Sequence, residues 1–330
     1  MSAEIDRRVF VKGSVLASAG AALAGASGGR AALGQQAASP PASGNPPGPQ
    51  AALPRGKIGK LEVSRLLLGG NLLTHATHSR DLRYVSNLAA HYNTPEKILE
   101  TLALAEQQGI NTLVIHTAGR IVDLLKRHRE KNGGKIQWII CPTAPIEDGL
   151  AQYGRQVQEL VDDGVDAIYL WGVRSDVLAG RRIDLVAKAV NLAKAQGVPS
   201  GVGAHALGVI QQCEKHKINA DFYIKTFHHH KYPSAPKPGQ ADDNYREFPA
   251  YWCGKPEETA EFMKTVEKPW IAFKVMAAGA IPPQDGFRYA LENGADFILA
   301  GMFDFEIAED VRTIRQILPS LPTRARPCRG

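Results

Sequence analysis

Residues 94–119 read TPEKILETLALAEQQGINTLVIHTAG, a helical segment followed at once by a strand segment. In the first part, apolar residues recur every three or four positions, which is the period of a helix that packs one face on a core. In the second part, a compact apolar run ends at His116. Helices that alternate with short buried strands are typical of α/β proteins with a parallel sheet.

The same alternation repeats along the chain. Short runs rich in β-branched or aromatic residues each follow a Gly or Asp break and precede a helical pattern; they span residues 64–71, 111–119, 136–144, 166–173, 198–205, 221–228, 269–279 and 296–303. Eight strands alternating with helices predict a single α/β (β/α)8 TIM barrel over residues 55–330. An open doubly wound sheet is the alternative, but no GxGxxG motif follows the first strand.

The first 54 residues have a different composition. Residues 1–26 contain the twin arginines Arg7 and Arg8 followed by a weakly apolar Ala/Gly-rich stretch, which is typical of a twin-arginine signal peptide. This stretch is too short and too weakly apolar for a comfortable membrane span. Residues 27–54 are rich in Pro, Gly, Ser and Ala and predict a disordered linker. We therefore expect a periplasmic or extracellular protein that the twin-arginine machinery exports folded, with no membrane span in the mature chain.

Charge and cysteine content exclude several classes of protein. The formal net charge of +6 is spread along the chain, and the only dense basic runs are RRVFVK and KRHREK, so we expect no nucleic-acid partner. The four cysteines show no CxxC spacing, which argues against a disulfide scaffold or a structural zinc module. A single disulfide bridge remains an alternative.

Three segments resemble aldo/keto reductases. They are GKIGKLEVSRLLLGGN at the start of the predicted barrel, TPEKILETLALAEQQGINTLVIHTA, and the C-terminal pair KPWIAFKVMAAGAI and GFRYALENGADFILAGMFDFEIAEDV. The likeness spans the barrel in order, so it implies the same fold and a shared ancestry.

The four catalytic residues that this resemblance implies are all replaced. His116 stands at the place of the family's aspartate, and the next loop, GRIVDLLKRHREKN, contains no tyrosine. Cys141 and Pro142 stand at the place of the lysine, and Trp171 at that of the histidine. The family's reaction needs a tyrosine acidified by the lysine. The loop after the eighth strand, GMFDFEIAED, is acidic and suits an NADP phosphate poorly, so NADP is the less expected cofactor.

Side-chain alternation predicts which strand residues face the barrel lumen. A lysine turned toward the helices would be an unpaired buried charge, so lysines are assigned to the lumen. The predicted inward residues are His116, Tyr223, Lys225, Phe227, His229 and Lys274. The predicted outward residues are Leu113, Ile115, Ile271, Phe273 and Val275.

Histidines gather at the carboxyl ends of the predicted strands, where the chemistry of TIM barrels lies. The triplet at 228–230 alternates in direction, so at most two of its members share a face. The predicted ligands of one divalent ion (Zn, Mn or Fe) are His116, His205, His228 and His229. Alternatively these histidines serve without a metal as hydrogen-bonding or acid–base groups, because no carboxylate adjoins them and no HExxH spacing is present. His75, His78 and His91 in the first long loop are further candidates.

Two lysine-bearing strands suggest a second chemistry. YIKTFH and IAFKVMAAG resemble the lysine strands of deoxyribose-phosphate aldolases, in which one lysine forms a Schiff base and the other lowers its pKa. The predicted catalytic residues are therefore His116, His205, Lys225 and Lys274. A structural alternative pairs the two lysines with Asp166 or Asp221.

Two long loops, 72–93 and 231–256, are expected to act as lids over the site. The second is rich in aromatic residues that suit a sugar ring. The predicted substrate-binding residues are Asn71, Trp171, Tyr245, Tyr251 and Trp252.

The leading hypothesis is an exported barrel enzyme of aldo/keto reductase-like ancestry. It would act on a carbohydrate or polyhydroxy-carbonyl compound by acid–base or metal-assisted chemistry, as a lyase, isomerase or hydrolase. The alternatives are an NAD(P)-dependent oxidoreductase, a Schiff-base aldolase, and a non-catalytic sugar-binding barrel.

Overall fold

The eight predicted strands close into a parallel barrel. The computed structural model describes residues 52–79, 82–237, 253–321, 324 and 326–330. The barrel strands are β3 (Leu66–Gly69), β4 (Thr112–His116), β5 (Gln137–Cys141), β6 (Ala167–Leu170), β7 (Ser200–Ala204), β8 (Phe222–Thr226), β9 (Trp270–Phe273) and β10 (Phe297–Ala300). They follow one another around the barrel in sequence order, and β10 pairs with β3. The (β/α)8 prediction is confirmed, and the open doubly wound alternative is wrong.

Ten α-helices lie within the described residues. They are α1 (Arg83–Tyr92), α2 (Pro95–Gln107), α3 (Ile121–Lys131), α4 (Ala151–Asp162), α5 (Gly172–Leu178), α6 (Ile183–Ala195), α7 (Leu207–Lys215), α8 (Pro256–Lys264), α9 (Pro283–Glu292) and α10 (Asp304–Ser320). Sequence signals explain their ends. The Thr94 hydroxyl accepts a hydrogen bond from the Lys97 N–H, and Pro95 occupies the first turn of α2.

A β-hairpin closes the floor of the barrel, at the amino ends of the strands. Strands β1 (Arg55–Ile58) and β2 (Leu61–Ser64) pair antiparallel. Ile58, Leu61 and Val63 are buried with the side chains that fill the barrel lumen. The hairpin therefore shields the lumen from solvent at one end, and the chemistry is left to the other end.

Two hydrophobic layers show which strand residues face inward. The lumen layer contains Val114, Phe222, Ile224 and Ile271, with Phe273 packed against it. The layer between the strands and the helices contains Leu113, Ile115, Tyr223, Phe227 and Val275. The predicted directions are thus confirmed for Leu113, Ile115 and Val275.

The predicted directions on β8, just after it and on β9 are wrong for five residues. Tyr223 and Phe227 face the helices rather than the lumen, whereas Ile271 and Phe273 face the lumen. Lys225 shares the outward parity of Tyr223, yet its amine is fully buried and donates to two backbone carbonyls at the strand end. The error came from the assumption that a lysine on a barrel strand must face the lumen, because a flexible stem lets its amine find acceptors elsewhere.

Several predicted segments lie wholly or partly outside the described residues. The predicted signal at 1–26 and nearly all of the linker at 27–54 do so, although Leu53 at the linker's end is buried in the barrel core. The predicted lid at 72–93 contains helix α1, and α8 begins at the end of the predicted lid at 231–256.

The structure bears on two further sequence-based expectations, one about disulfides and one about membrane spans. Cys141, Cys213, Cys253 and Cys328 are all free thiols, so the structure contains no disulfide between them. In the part of the chain that the structure describes, no helix has both the length and the apolar character needed to cross a membrane.

Candidate active site

Four of the predicted site residues lie on the rim formed by the carboxyl ends of the strands. His116 ends β4, Trp171 follows β6, His205 follows β7 and Lys274 follows β9. The imidazole of His116 stacks on the indole of Trp171, with ring centroids 6.0 Å apart and planes 7° from parallel. Both side chains are partly exposed, so they form an accessible flat wall of the site.

The core of the site is a hydrogen-bonded dyad of Asp176 and His205. Asp176 Oδ2 lies 2.6 Å from His205 Nδ1, and both side chains are about nine-tenths buried. The other carboxylate oxygen accepts hydrogen bonds from the backbone N–H groups of His205 and Ala206. The carboxylate therefore fixes the proton on Nδ1 and leaves Nε2 as the basic nitrogen of the ring.

Glycines allow β6 and β7 to carry this dyad. A Cβ atom at Gly203 would lie 2.9 Å from the Gly172 nitrogen, so only glycine permits the close approach of the two strand ends. A Cβ atom at Gly172 would lie 3.0 Å from His205 Cε1. The short helix α5 can then start directly beside β7 and present Asp176 to His205.

Lys274 is the second titratable group of the rim. Its backbone φ is +58°, in the left-handed region, which turns the chain sharply after β9. Its Nζ lies 5.3 Å from the centroid of the Phe273 ring, which faces the lumen. Desolvation, opposed by Asp176 and reinforced by Lys225, lowers the pKa of Lys274 to about 7. A large fraction of its amine is thus neutral at physiological pH.

The buried cation Lys225 supports the rim from below. Its Nζ donates hydrogen bonds to the carbonyls of His205, at 2.7 Å, and Thr226, at 2.8 Å. It therefore holds the backbone of the dyad histidine and contributes positive charge near Lys274. The suggested pairing of Lys225 with Asp221 is not formed, since Asp221 pairs with Lys194.

Histidines around the rim are held neutral. Burial, with Lys274 as the next cause, lowers the pKa of His78 to about 3 and that of His205 to about 4. Burial alone lowers the pKa of His116. At neutral pH these rings are therefore uncharged, and His78 joins the cluster although it comes from the first long loop.

The histidine triplet is committed to protein partners. His228 Nδ1 lies 2.9 Å from the Lys274 carbonyl, and its Nε2 accepts from the Cys253 N–H. His229 Nε2 contacts Asp285, and its Nδ1 accepts from the Lys231 N–H. Among the described residues no three His, Cys, Asp or Glu side chains are grouped so that they could hold a metal ion. The predicted four-histidine metal set is therefore not assembled.

Sequence reasoning missed Asp176 altogether. No carboxylate adjoins the histidines in the sequence, but the fold brings Asp176 to His205 across 29 positions. A faint signal existed, since an Asp shortly after a barrel strand lies at the catalytic face.

The predicted substrate-binding residues have mixed outcomes. Trp171 lines the rim, and Asn71 follows β3 with its backbone carbonyl accepting from the Ala76 N–H. Tyr245, Tyr251 and Trp252 lie outside the described residues.

Known structures share this barrel at low sequence identity. A putative aldo-keto reductase from Pseudomonas aeruginosa has a TM-score of 0.52 and 17% identity, covering 80% of this chain and 94% of its own. The aldo-keto reductase AKR11C1 from Bacillus halodurans has a TM-score of 0.55 and 13% identity, covering 84% and 100%. These structures and this chain share the TIM-barrel fold. No family model and no curated protein sequence matches the chain.

Cys141 is a rim position that the structure shows to be chemically inert. Cys141, which ends β5, is completely buried, and burial raises the pKa of its thiol to about 12. The thiol is therefore protonated at neutral pH, so it carries no charge and is not a nucleophile. What the rim offers instead is an oriented imidazole base beside a partly neutral amine.

Proposed function

We propose that the chain is an enzyme that moves a proton next to a carbonyl group in a small carbohydrate-type substrate, as an isomerase or lyase. The observation that carries the proposal is the 2.6 Å Asp176–His205 pair at the catalytic rim of the barrel, close to Lys274. A buried carboxylate that orients a histidine is the arrangement needed for general base catalysis.

His205 and Lys274 have different roles in this proton transfer. His205 Nε2 removes the proton from the carbon beside the carbonyl, and the electron pair of that C–H bond moves to the carbonyl oxygen. The protonated form of Lys274 donates a hydrogen bond to the developing enolate oxygen. With a pKa of about 7, Lys274 is well matched to give and take a proton at neutral pH.

A polyhydroxy substrate fits the walls of the site. The stacked His116 and Trp171 rings offer a flat aromatic surface, against which the apolar face of a sugar ring packs well. Charged and hydrogen-bonding groups from β7 and β9 face the same rim, where they suit hydroxyl and carbonyl oxygens.

The test is exchange of a substrate proton with solvent deuterium. A panel of aldoses, ketoses and keto-sugar acids is incubated with the protein in D2O and followed by NMR. We expect exchange at the carbon beside the carbonyl of at least one member, and its loss in His205→Gln. The exposed His216 at the end of α7 supplies the matched control His216→Gln, which should retain exchange. Equal exchange in native protein and His205→Gln would reject this role for His205.

A Schiff-base lyase is the second candidate, favoured by the pKa of about 7 at Lys274. The neutral amine would add to a substrate carbonyl and release water as the imine forms. Borohydride, added as a hydride donor, would reduce this imine to a stable secondary amine. Peptide mass spectrometry that finds the substrate's carbon skeleton on Lys274 supports the lyase, and an unmodified Lys274 after borohydride treatment rejects it.

The cofactor and export predictions remain proposals with direct tests. Elemental mass spectrometry of untagged protein tests for one Zn, Mn or Fe ion, and NADPH fluorescence titration tests the oxidoreductase alternative. Export by the twin-arginine machinery to the periplasm or beyond predicts that replacing Arg7 and Arg8 by Lys retains the protein in the cytoplasmic fraction.

A further inference from the structure

The histidine triplet at 228–230 connects Lys274 to Cys253, which lies just before α8. The side chain of His228 bridges two backbone groups: the Lys274 carbonyl and the Cys253 N–H, at 2.9 Å and 3.2 Å. His230 Nε2 contacts the Cys253 carbonyl at 2.6 Å. His228 and His230 therefore bind the N–H and the carbonyl of Cys253, and His228 also binds the carbonyl of Lys274.

The hydrogen-bond partners fix the tautomer of His228. Because the Cys253 N–H donates to Nε2, that nitrogen carries no proton, and Nδ1–H must donate to the Lys274 carbonyl. The ring is fully buried, and burial lowers its pKa to about 3, so it stays neutral. Both ring nitrogens are thus used, and the role of His228 is to join two backbone segments.

The segment that His228 holds has an unusual backbone. Lys274, Ala277 and Ala278 all have positive φ values, of 58°, 46° and 54°. Side chains with a Cβ disfavour this region, so neighbouring contacts must hold it. The Lys274 carbonyl accepts from both His228 Nδ1 and the Ala277 N–H, which fixes the peptide plane that directs the lysine.

We propose that His228 is a positioning residue that, through the carbonyl of Lys274, keeps the lysine amine directed into the buried rim beside Asp176 and His205. This inference rests on the proposed function for its consequence in turnover, but the orientation of Lys274 is measurable without a substrate. The amine faces Asp176 from α5, His205 and Lys225 from β7 and β8, and His78 from the first long loop.

Two conservative variants each keep one of the two hydrogen bonds of His228 and remove the other. In His228→Asn, the amide nitrogen replaces Nδ1 and still donates to the Lys274 carbonyl, but the side chain is too short to reach Cys253. In His228→Gln, the amide oxygen replaces Nε2 and still accepts from Cys253, but no donor remains at the Nδ1 position. His216→Gln is the matched surface control.

The first readout is the pH dependence of chemical labelling of Lys274, followed by peptide mass spectrometry with trinitrobenzenesulfonate as the probe. Native protein, His216→Gln and His228→Asn should label with a midpoint near the pKa of about 7. His228→Gln should shift the midpoint upward by about one unit or more, because the amine gains water. An unchanged midpoint in His228→Gln, or equal shifts in both His228 variants, would overturn the proposal.

The second readout is turnover in the deuterium-exchange assay. His228→Gln should lower kcat by about tenfold or more with little change in KM, since a misdirected catalytic group weakens the chemical step more than binding. His228→Asn should stay within about threefold of native protein. If no substrate exchanges while the labelling midpoints separate as expected, the proposed function fails and the positioning role stands.

Discussion

At the floor of the barrel one buried carboxylate is surrounded by arginines, whereas at the rim one carboxylate lies among lysines and histidines. The floor carboxylate, Asp296, accepts from Arg326 and Arg324 and from the N–H groups of Trp270 and Arg329. The rim carboxylate, Asp176, accepts from His205 and two backbone N–H groups. Both ends bury charge, but they do so with different partners.

The difference lies in which side chains can change protonation. Arginine stays charged at every relevant pH, so the cations of the floor network are permanent and hold the structure together. Burial lowers the pKa of lysine and histidine, and the rim contains a lysine with a pKa of about 7 and neutral imidazoles. Under the proposed function, burial of charge serves structure at the floor and reactivity at the rim.

The largest expected effect is on turnover at the rim. Replacing Asp176 by Asn should lower kcat in the exchange assay by about 10²- to 10⁴-fold, because the amide can donate to Nδ1 and favour the wrong imidazole tautomer. Rates are normalised to the folded fraction, since the other carboxylate oxygen of Asp176 accepts from two backbone N–H groups. Loss of folding with unchanged rate per folded molecule would make Asp176 a structural residue like Asp296.

At the floor, the loss of one partner of Asp296 should lower the stability of the fold. In Arg326→Met, Asp296 loses its 2.7 Å partner inside the core. We expect the free energy of unfolding in urea to fall by about 3–5 kcal/mol. The control Arg312→Met removes an exposed pair with Glu309 and should cost less than about 1 kcal/mol. Catalysis per folded molecule should be unchanged in both, and a selective loss of kcat in Arg326→Met would break the contrast between the two ends.

Sequence reasoning predicted the fold better than the site, for physical reasons. Each barrel strand leaves a local signal, a short apolar run between Gly or Asp breaks, and each run was found as a strand. The Asp176–His205 pair joins two strand–helix units, so no local spacing announces it. The direction of Lys225 was misjudged because its long stem lets a buried amine leave the parity of its strand.

The neutral buried histidines of the rim also predict a loss of stability in acid. The folded-state pKa of His228, about 3, lies below the unfolded value of 6.5. The unfolded chain therefore binds more protons, and stability is full above pH 6.5 and falls as pH drops toward 3. At pH 5 this histidine alone should lower the free energy of unfolding by about 2 kcal/mol.

Urea unfolding at a series of pH values checks this acid sensitivity. Between pH 6.5 and 4, His228→Asn should reduce the slope of the unfolding free energy against pH by the equivalent of about one bound proton. The exposed-site control His216→Asn should leave this slope unchanged. Unaltered pH dependence in His228→Asn would show that this ring is not the group responsible.

The smallest expected effect comes from one methyl group beside the dyad. In Gly172→Ala the new Cβ would lie 3.0 Å from His205 Cε1 and 3.2 Å from Nδ1, so the imidazole must shift by a few tenths of an ångström. We expect kcat to fall by about tenfold, since catalytic groups tolerate little displacement. Gly208→Ala in α7 is the control, because a Cβ there meets no atom within 4 Å. It should keep kcat and gain a little helix stability. If Gly172→Ala is as active as Gly208→Ala, the rim does not depend on the exact placement of His205, and the distinction between a reactive rim and a structural floor loses its geometric basis.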